Sequence, residues 1–218
     1  MKKINWNYTL GEILIVIIGI SIAFSLNKCA ENSQDKKLEK LYLENLKNDV
    51  ETDKNNLEQN LELLKSKEKT LFSTFKYFNP NVPKRDSLLT DSFMRMVKII
   101  EFSPKSTTHQ TLINSVDLKL ITNFNLKTTI QEHYRTYDIL QQDYDRMVNI
   151  SKKYIADYFI YNLDMDKHRK GERAFNDERL LKSIIQSMYG AIRLKIASTE
   201  KSIQSCKTIL ERLHNEVN

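Results

Sequence analysis

The hydrophobic and polar positions divide the chain into one apolar run and a longer region with a helical repeat. Residues 10–26 are almost continuously apolar. With the two residues before it, the run is about 19 residues long, enough at 1.5 Å per residue to cross a hydrocarbon core of about 30 Å. The pattern therefore predicts a transmembrane anchor over residues 9–26, a short flank over residues 1–8 and a folded domain over residues 27–218.

A cleaved signal peptide is the alternative to an uncleaved anchor. Signal peptides have a shorter apolar core and a small-residue cleavage site. The residues after the run are Asn27, Lys28 and Cys29. Lys28 is not the small residue that a lipidation site needs before its cysteine. We therefore prefer the anchor.

Beyond the anchor, apolar residues recur every three or four positions, which predicts amphipathic helices. No Pro or Gly occurs between Ser21 and Phe78, so the first helix should continue from the membrane to residues 79–83. Shorter helices are predicted over residues 86–102 and 107–115. Two more long helices are predicted: one is capped by Asn123 or Asn125 and extends to Tyr161, and the other begins at Asp177 after a polar turn over residues 163–176.

These elements predict an all-α fold, in which a transmembrane helix continues into an antiparallel bundle with two further long helices and one or two short ones. Only four glycines and three prolines occur, which argues against a turn-rich β fold. The first helix should exceed its partners in length and leave a stalk near the membrane. If the next long helix runs back, it places a basic turn at the lipid surface, comprising Lys167, Arg169, Lys170 and Arg173.

The composition and motifs favour a binding role over catalysis. The formal charge is +6, but the basic residues are interleaved with acidic ones, so we expect no nucleic-acid partner. The four histidines lack metal-site spacing, the two cysteines lie far apart, and neither a phosphate-binding glycine loop nor a nucleophile elbow occurs. We therefore predict no enzyme, cofactor or metal.

Two features of the anchor are candidates for function. Glu12 is an acidic residue near its start, which favours either an interfacial position close to headgroups or a proton or partner role. Gly11, Gly19 and Ala23 share one helix face and would let two anchors approach closely. The predicted partners are therefore the lipid bilayer and a second copy or another membrane protein.

The helix ending at Tyr161 carries six tyrosines, which favour either a binding surface or a wide bundle core. They are Tyr134, Tyr137, Tyr144, Tyr154, Tyr158 and Tyr161.

Three parts of the chain resemble a known family, and together they extend over most of its length. They are an anchor motif, a helix motif and a central segment: Gly11, Glu12, Ile13, residues 16–20, Ile22, Ala23 and Asn27; residues 42–50; and Leu112, Asn114, Ser115, residues 118–121, Asn123, Leu126 and Tyr134. They resemble the Bacteroidota single-pass membrane family catalogued as domain of unknown function 6090. Cys29 stands where that family usually has Trp, and Val116 and Asp117 replace an expected glycine.

The charges around the anchor leave its orientation ambiguous and lean slightly towards a cytoplasmic domain. The resemblance implies the opposite, because family members often carry a longer basic stretch before the anchor. It implies an inner-membrane protein with a cytoplasmic N-terminus and a periplasmic bundle, and it brings no assigned activity. We expect a membrane-anchored interaction or scaffold protein. The alternatives are a small-ligand sensor and an accessory subunit of a proton-driven complex that uses Glu12.

Overall fold

The computed structural model describes the backbone of residues 6–217 and the side chains of residues 10–216. Residues 1–5 of the predicted flank lie outside the described part. The helices are α1 (Trp6–Thr74), α2 (Arg85–Met96), α3 (Thr107–Asn114), α4 (Phe124–Ile150), α5 (Ala156–Asn162), α6 (Met165–Arg169) and α7 (Glu178–Val217). Short 3₁₀ turns over Phe75–Phe78 and Asp117–Lys119 and a π-helical turn over Ser151–Ile155 connect them. The described residues form no strand beyond an isolated antiparallel bridge between Leu163 and Phe175.

The bundle is organised around α7, which packs against both α1 and α4. At one end, the Thr122 backbone N–H donates to the Glu39 carboxylate (2.9 Å) and the Asn123 side chain donates to Glu216 (2.8 Å). At the other end, Arg85 pairs with Glu178 at 2.5 Å. Therefore α1 and α4 run away from the apolar segment, whereas residues 85–121 and α7 return towards it. The predicted all-α antiparallel bundle is confirmed.

The predicted direction of the last two long helices is wrong. The short helices α2 and α3 carry the chain back to the level of Glu39, so α4 starts at that end. The basic turn that holds Lys167, Arg169, Lys170 and Arg173 consequently lies at the opposite end, where His168 lies 3.3 Å from Asp91 and Arg173 lies 3.2 Å from Glu178. The turn does not face the side from which the apolar segment projects.

The second predicted helix is also too long, because α2 ends at Met96 rather than at residue 102. Residues 97–106 carry no regular secondary structure. β-Branched residues at positions 97, 99 and 100 lower the helix propensity. The carbonyl oxygens of Met96, Lys98 and Ile100 accept bonds from lysine side chains of α1 and α7 instead of from a continuing helix.

The other helix boundaries follow the sequence closely. α1 is unbroken over 69 residues, or about 104 Å. Asn123, not Asn125, caps α4 by accepting from the Leu126 N–H (3.1 Å), and Asp177 accepts from the Leu180 N–H at the start of α7. The predicted polar turn over residues 163–176 contains α6 and also buries Phe175, which its polar composition did not indicate.

Candidate functional site

The N-terminal part of α1 is long and apolar enough to cross a membrane, and the described part of the chain buries none of its apolar window. Every side chain from Glu12 to Lys37 is exposed, and the first buried one is Leu43. A Cβ added at Gly11 or Gly19 would meet no atom within 4 Å. These glycines and Ala23 therefore pack against no described part of the chain, and pairing of two anchors stays a prediction. Glu12 lies on this same exposed segment, and its role also stays a prediction.

The bundle contains a second distinctive feature, an extended segment held by polar side chains. We call residues 97–106 the strap and the α1 residues Asp53, Asn60 and Lys67 the polar row. Both carboxylate oxygens of Asp53 accept from the Lys105 N–H (3.0 Å). Asn60 donates to the Glu101 carbonyl (2.9 Å), and Lys67 donates to the carbonyls of Met96 (2.7 Å) and Lys98.

The spacing of the polar row matches an extended chain. Its members lie seven residues apart, so fourteen residues of α1 separate the outer two and span about 21 Å at 1.5 Å per residue. The seven steps from Lys98 to Lys105 would span about 23 Å if the strap were fully extended at 3.3 Å per residue. Two helical turns of α1 therefore cover about the same distance as three or four residues of the extended strap. Each member of the polar row consequently lies level with a different peptide group of the strap.

A fourth polar side chain that binds the strap belongs to α7. Lys195 is fully buried, donates to the Ile100 carbonyl and lies 3.5 Å above the centre of the Tyr144 ring. Burial lowers the pKa of Lys67 to about 8, and burial together with the neighbouring Lys67 charge lowers the pKa of Lys195 to about 8. Burial raises the pKa of the Asp53 carboxyl at the other end of the row. Charged groups withdrawn from water are thus used to bind backbone atoms.

Aromatic side chains of α4 form the floor beneath the strap. The Phe102 ring is buried against Tyr137 and Tyr144, with ring centroids 5.5 and 6.2 Å apart. Four of the six predicted tyrosines are buried, and their hydroxyls bond inside the protein: Tyr134 to the Lys105 carbonyl, Tyr137 to Cys206, Tyr144 to Thr199 and Tyr158 to the Asp177 carbonyl. Tyr154 and Tyr161 are exposed. The tyrosines therefore form mainly core.

Two histidines lie next to this floor. His109 stacks on Tyr134 with ring centroids 3.9 Å apart, and His133 lies with Nδ1 2.9 Å from the Ser205 hydroxyl. Burial lowers the pKa of both, that of His133 to about 4. No group of three or more His, Cys, Asp or Glu within the described residues is placed to hold a metal ion.

A cleft of about 470 Å³ opens between the end of the strap, α3 and α4. Its walls combine apolar surface with polar groups, which include His109, Gln131, Arg135 and Asp138. Arg135 and Asp138 are one helical turn apart on α4. The cleft can therefore offer one positive and one negative group to a small polar molecule.

Sequence reasoning missed the polar row, although the sequence contains a signal for it. The apolar stripe of α1 passes through Val50, Leu57 and Leu64, and polar residues occupy the core-facing positions between them. Lys195 similarly interrupts the stripe of α7 and is buried. A polar residue inside an otherwise apolar stripe indicates a buried polar contact, since burial without a partner is unfavourable.

Comparison with known proteins gives one match. A model described as "Family of unknown function (DUF6090)" matches residues 12–138, which is more than half of the chain and includes most of the candidate span, the strap and the polar row. No curated protein and no solved structure matches the chain.

Proposed function

Because the chain belongs to this family of unknown function, we propose that it is a membrane-anchored helical scaffold that works by binding another protein and not by catalysis. The observation that carries the proposal is the apolar start of α1, which the described part of the chain leaves uncovered. Residues 10–26 carry twelve apolar side chains; burying them in lipid is strongly favourable, whereas exposing them to water is not.

The joint between the apolar segment and the bundle supports the same role. α1 continues without a break through residues 27–37, whose side chains are all exposed, before the first buried position at Leu43. A continuous helix of this length holds the bundle about 20 Å from the membrane surface. We place the bundle outside the cytoplasm and propose a second copy or another membrane protein as its partner.

Two experiments test this role. A reporter that is active only in the periplasm, fused after Asn218, should be active, whereas activity of a cytoplasm-only reporter there would reverse the orientation. Cross-linking in native membranes followed by purification of the chain should recover a defined membrane partner or a second copy. A chain recovered only as a monomer under the same conditions would contradict the scaffold role.

The cleft beside α3 favours a second candidate, a sensor of small zwitterionic ligands. Arg135 would bind a carboxylate and Asp138 an ammonium group, with polar side chains between them. Equilibrium dialysis of the purified chain against free amino acids tests this candidate. Binding that is lost in Arg135→Ala and kept in Arg146→Ala, an exposed arginine outside the cleft, would support it. Binding that is absent, or equal in both variants, would reject it.

A further inference from the structure

We propose that the polar row and the aromatic floor form a groove for an extended peptide, and that the strap is its built-in occupant, replaceable by a partner's segment of the same chemistry. The inference deepens the binding role proposed above by naming its surface. It rests on that role only for the existence of a partner.

The contacts between the bundle and the strap are made to backbone atoms. Lys67, Asn60 and Lys195 donate to strap carbonyls, and Asp53 accepts from a strap N–H. Every peptide carries these groups, so the row can bind another extended segment with little regard to most of its side chains. A fully buried lysine at position 195 is unfavourable for packing alone, because an aliphatic side chain would fill the stripe of α7 without desolvating a charge.

The described residues of the strap also form no backbone hydrogen bonds with one another. Across the described residues, none of positions 98–105 makes a backbone–backbone hydrogen bond. The long helices, by contrast, satisfy their own backbone groups. Segments with few backbone bonds of their own are the ones that open locally while the rest of a protein stays folded. Release of the strap therefore breaks side-chain contacts and leaves α1, α4 and α7 packed.

Phe102 is the buried side chain of the strap. It is 8% exposed and packs against the rings of Tyr137 and Tyr144, whereas Ile100 is partly buried against the neighbouring cluster that contains Met96 and Ile155. The matching partner segment is thus an extended peptide with an aromatic residue and an aliphatic residue two positions before it. In the intact chain the strap competes for the groove at a high effective concentration, which weakens binding of any free peptide.

The test uses the full chain in detergent and a fluorescent synthetic peptide with the sequence of residues 96–106. Phe102→Ser weakens the built-in occupant, so we expect this variant to bind the peptide at least tenfold more tightly than the unaltered chain. Adding Asn60→Ala and Lys67→Met should reduce that affinity at least tenfold. As a control, Lys69→Met, which replaces an exposed lysine on the same helix, is added to Phe102→Ser in place of the two row substitutions. It should leave the peptide affinity of Phe102→Ser unchanged. Equal peptide affinity in Phe102→Ser and the unaltered chain, or undiminished affinity without the row, would overturn the inference.

Hydrogen exchange of the unaltered chain keeps the inference testable if Phe102→Ser does not fold. Backbone amides of residues 98–103 should exchange at least tenfold faster than those of the buried face of α7. Equal protection of the two would show that the strap opens only with the whole bundle, and would overturn the proposal. Recovery of a partner through another surface would leave the scaffold role intact while rejecting this groove.

Discussion

Replacing His133 by Gln should remove much of the acid sensitivity of the bundle. The imidazole is 1% exposed, its Nδ1 atom lies 2.9 Å from the Ser205 hydroxyl, and its Nε2 atom is buried without a hydrogen-bond partner. The rings of Tyr134 and Tyr137 stand edge-on to it. Protonation would place a positive charge at a site that offers Nε2 no acceptor.

The magnitude follows from the pKa of this imidazole. Burial lowers it from 6.5 to about 4, and this difference corresponds to about 3 kcal/mol of unfolding free energy. Because the folded-state pKa is the lower one, the contribution is fully present above pH 6.5 and is lost as the pH falls towards 4. The lowered pKa of His109 also reduces the unfolding free energy as the pH falls, whereas the raised pKa of Asp53 increases it.

Urea unfolding of the full chain in detergent, followed by circular dichroism at pH 7.5 and 4.5, measures the effect. The unaltered chain should lose about 2–3 kcal/mol more over this interval than His133→Gln, whose side chain does not titrate. Lys207→Gln, at an exposed position of α7, should behave like the unaltered chain. Equal losses in His133→Gln and the unaltered chain would refute the assignment of acid sensitivity to this buried imidazole.

Three further predictions concern single positions. Val116 has a φ of 62° and an exposed side chain, so Val116→Gly should raise the unfolding free energy by about 0.5–1 kcal/mol in the same urea assay, and a decrease would contradict the inferred backbone strain. Cys29 is exposed, whereas Cys206 is buried with its pKa raised to about 11; maleimide at pH 7 should label Cys29 first, and an intramolecular Cys29–Cys206 bond in mass spectra would contradict the fold. Glu12→Gln should leave insertion and abundance nearly unchanged if Glu12 is interfacial, whereas loss of a cellular phenotype at normal abundance would favour the proton-coupled alternative.

The sequence predicted those parts of the fold that depend on local patterns. The long helices follow from an apolar stripe that is read directly along the chain, and their ends follow from Asn123, Asp177 and the breakers at residues 79–83. The direction of α4 was not available from such patterns. It depends on the short segments between residues 85 and 121 forming the returning fourth element of the bundle, which is a tertiary property.

The strap shows most clearly why the candidate site was harder to predict than the fold. Its helical periodicity continues past Met96, but Lys67 and Lys195 bind its carbonyls from positions 31 and 95 residues away in sequence. Tertiary contacts of this kind override local propensity. The turn at Val116 is a similar case, since a left-handed backbone persists there without the glycine expected from the family resemblance.

Alkaline carbonate extraction of cell membranes tests the central claim most directly, because it separates embedded proteins from peripheral ones. The full chain should remain in the membrane pellet, and a variant that lacks residues 10–26 should be released into the supernatant. N-terminal sequencing of the pelleted chain should find the apolar segment still attached. Release of the full chain, or a mature chain that begins after residue 26, would contradict the account of α1 as a membrane anchor.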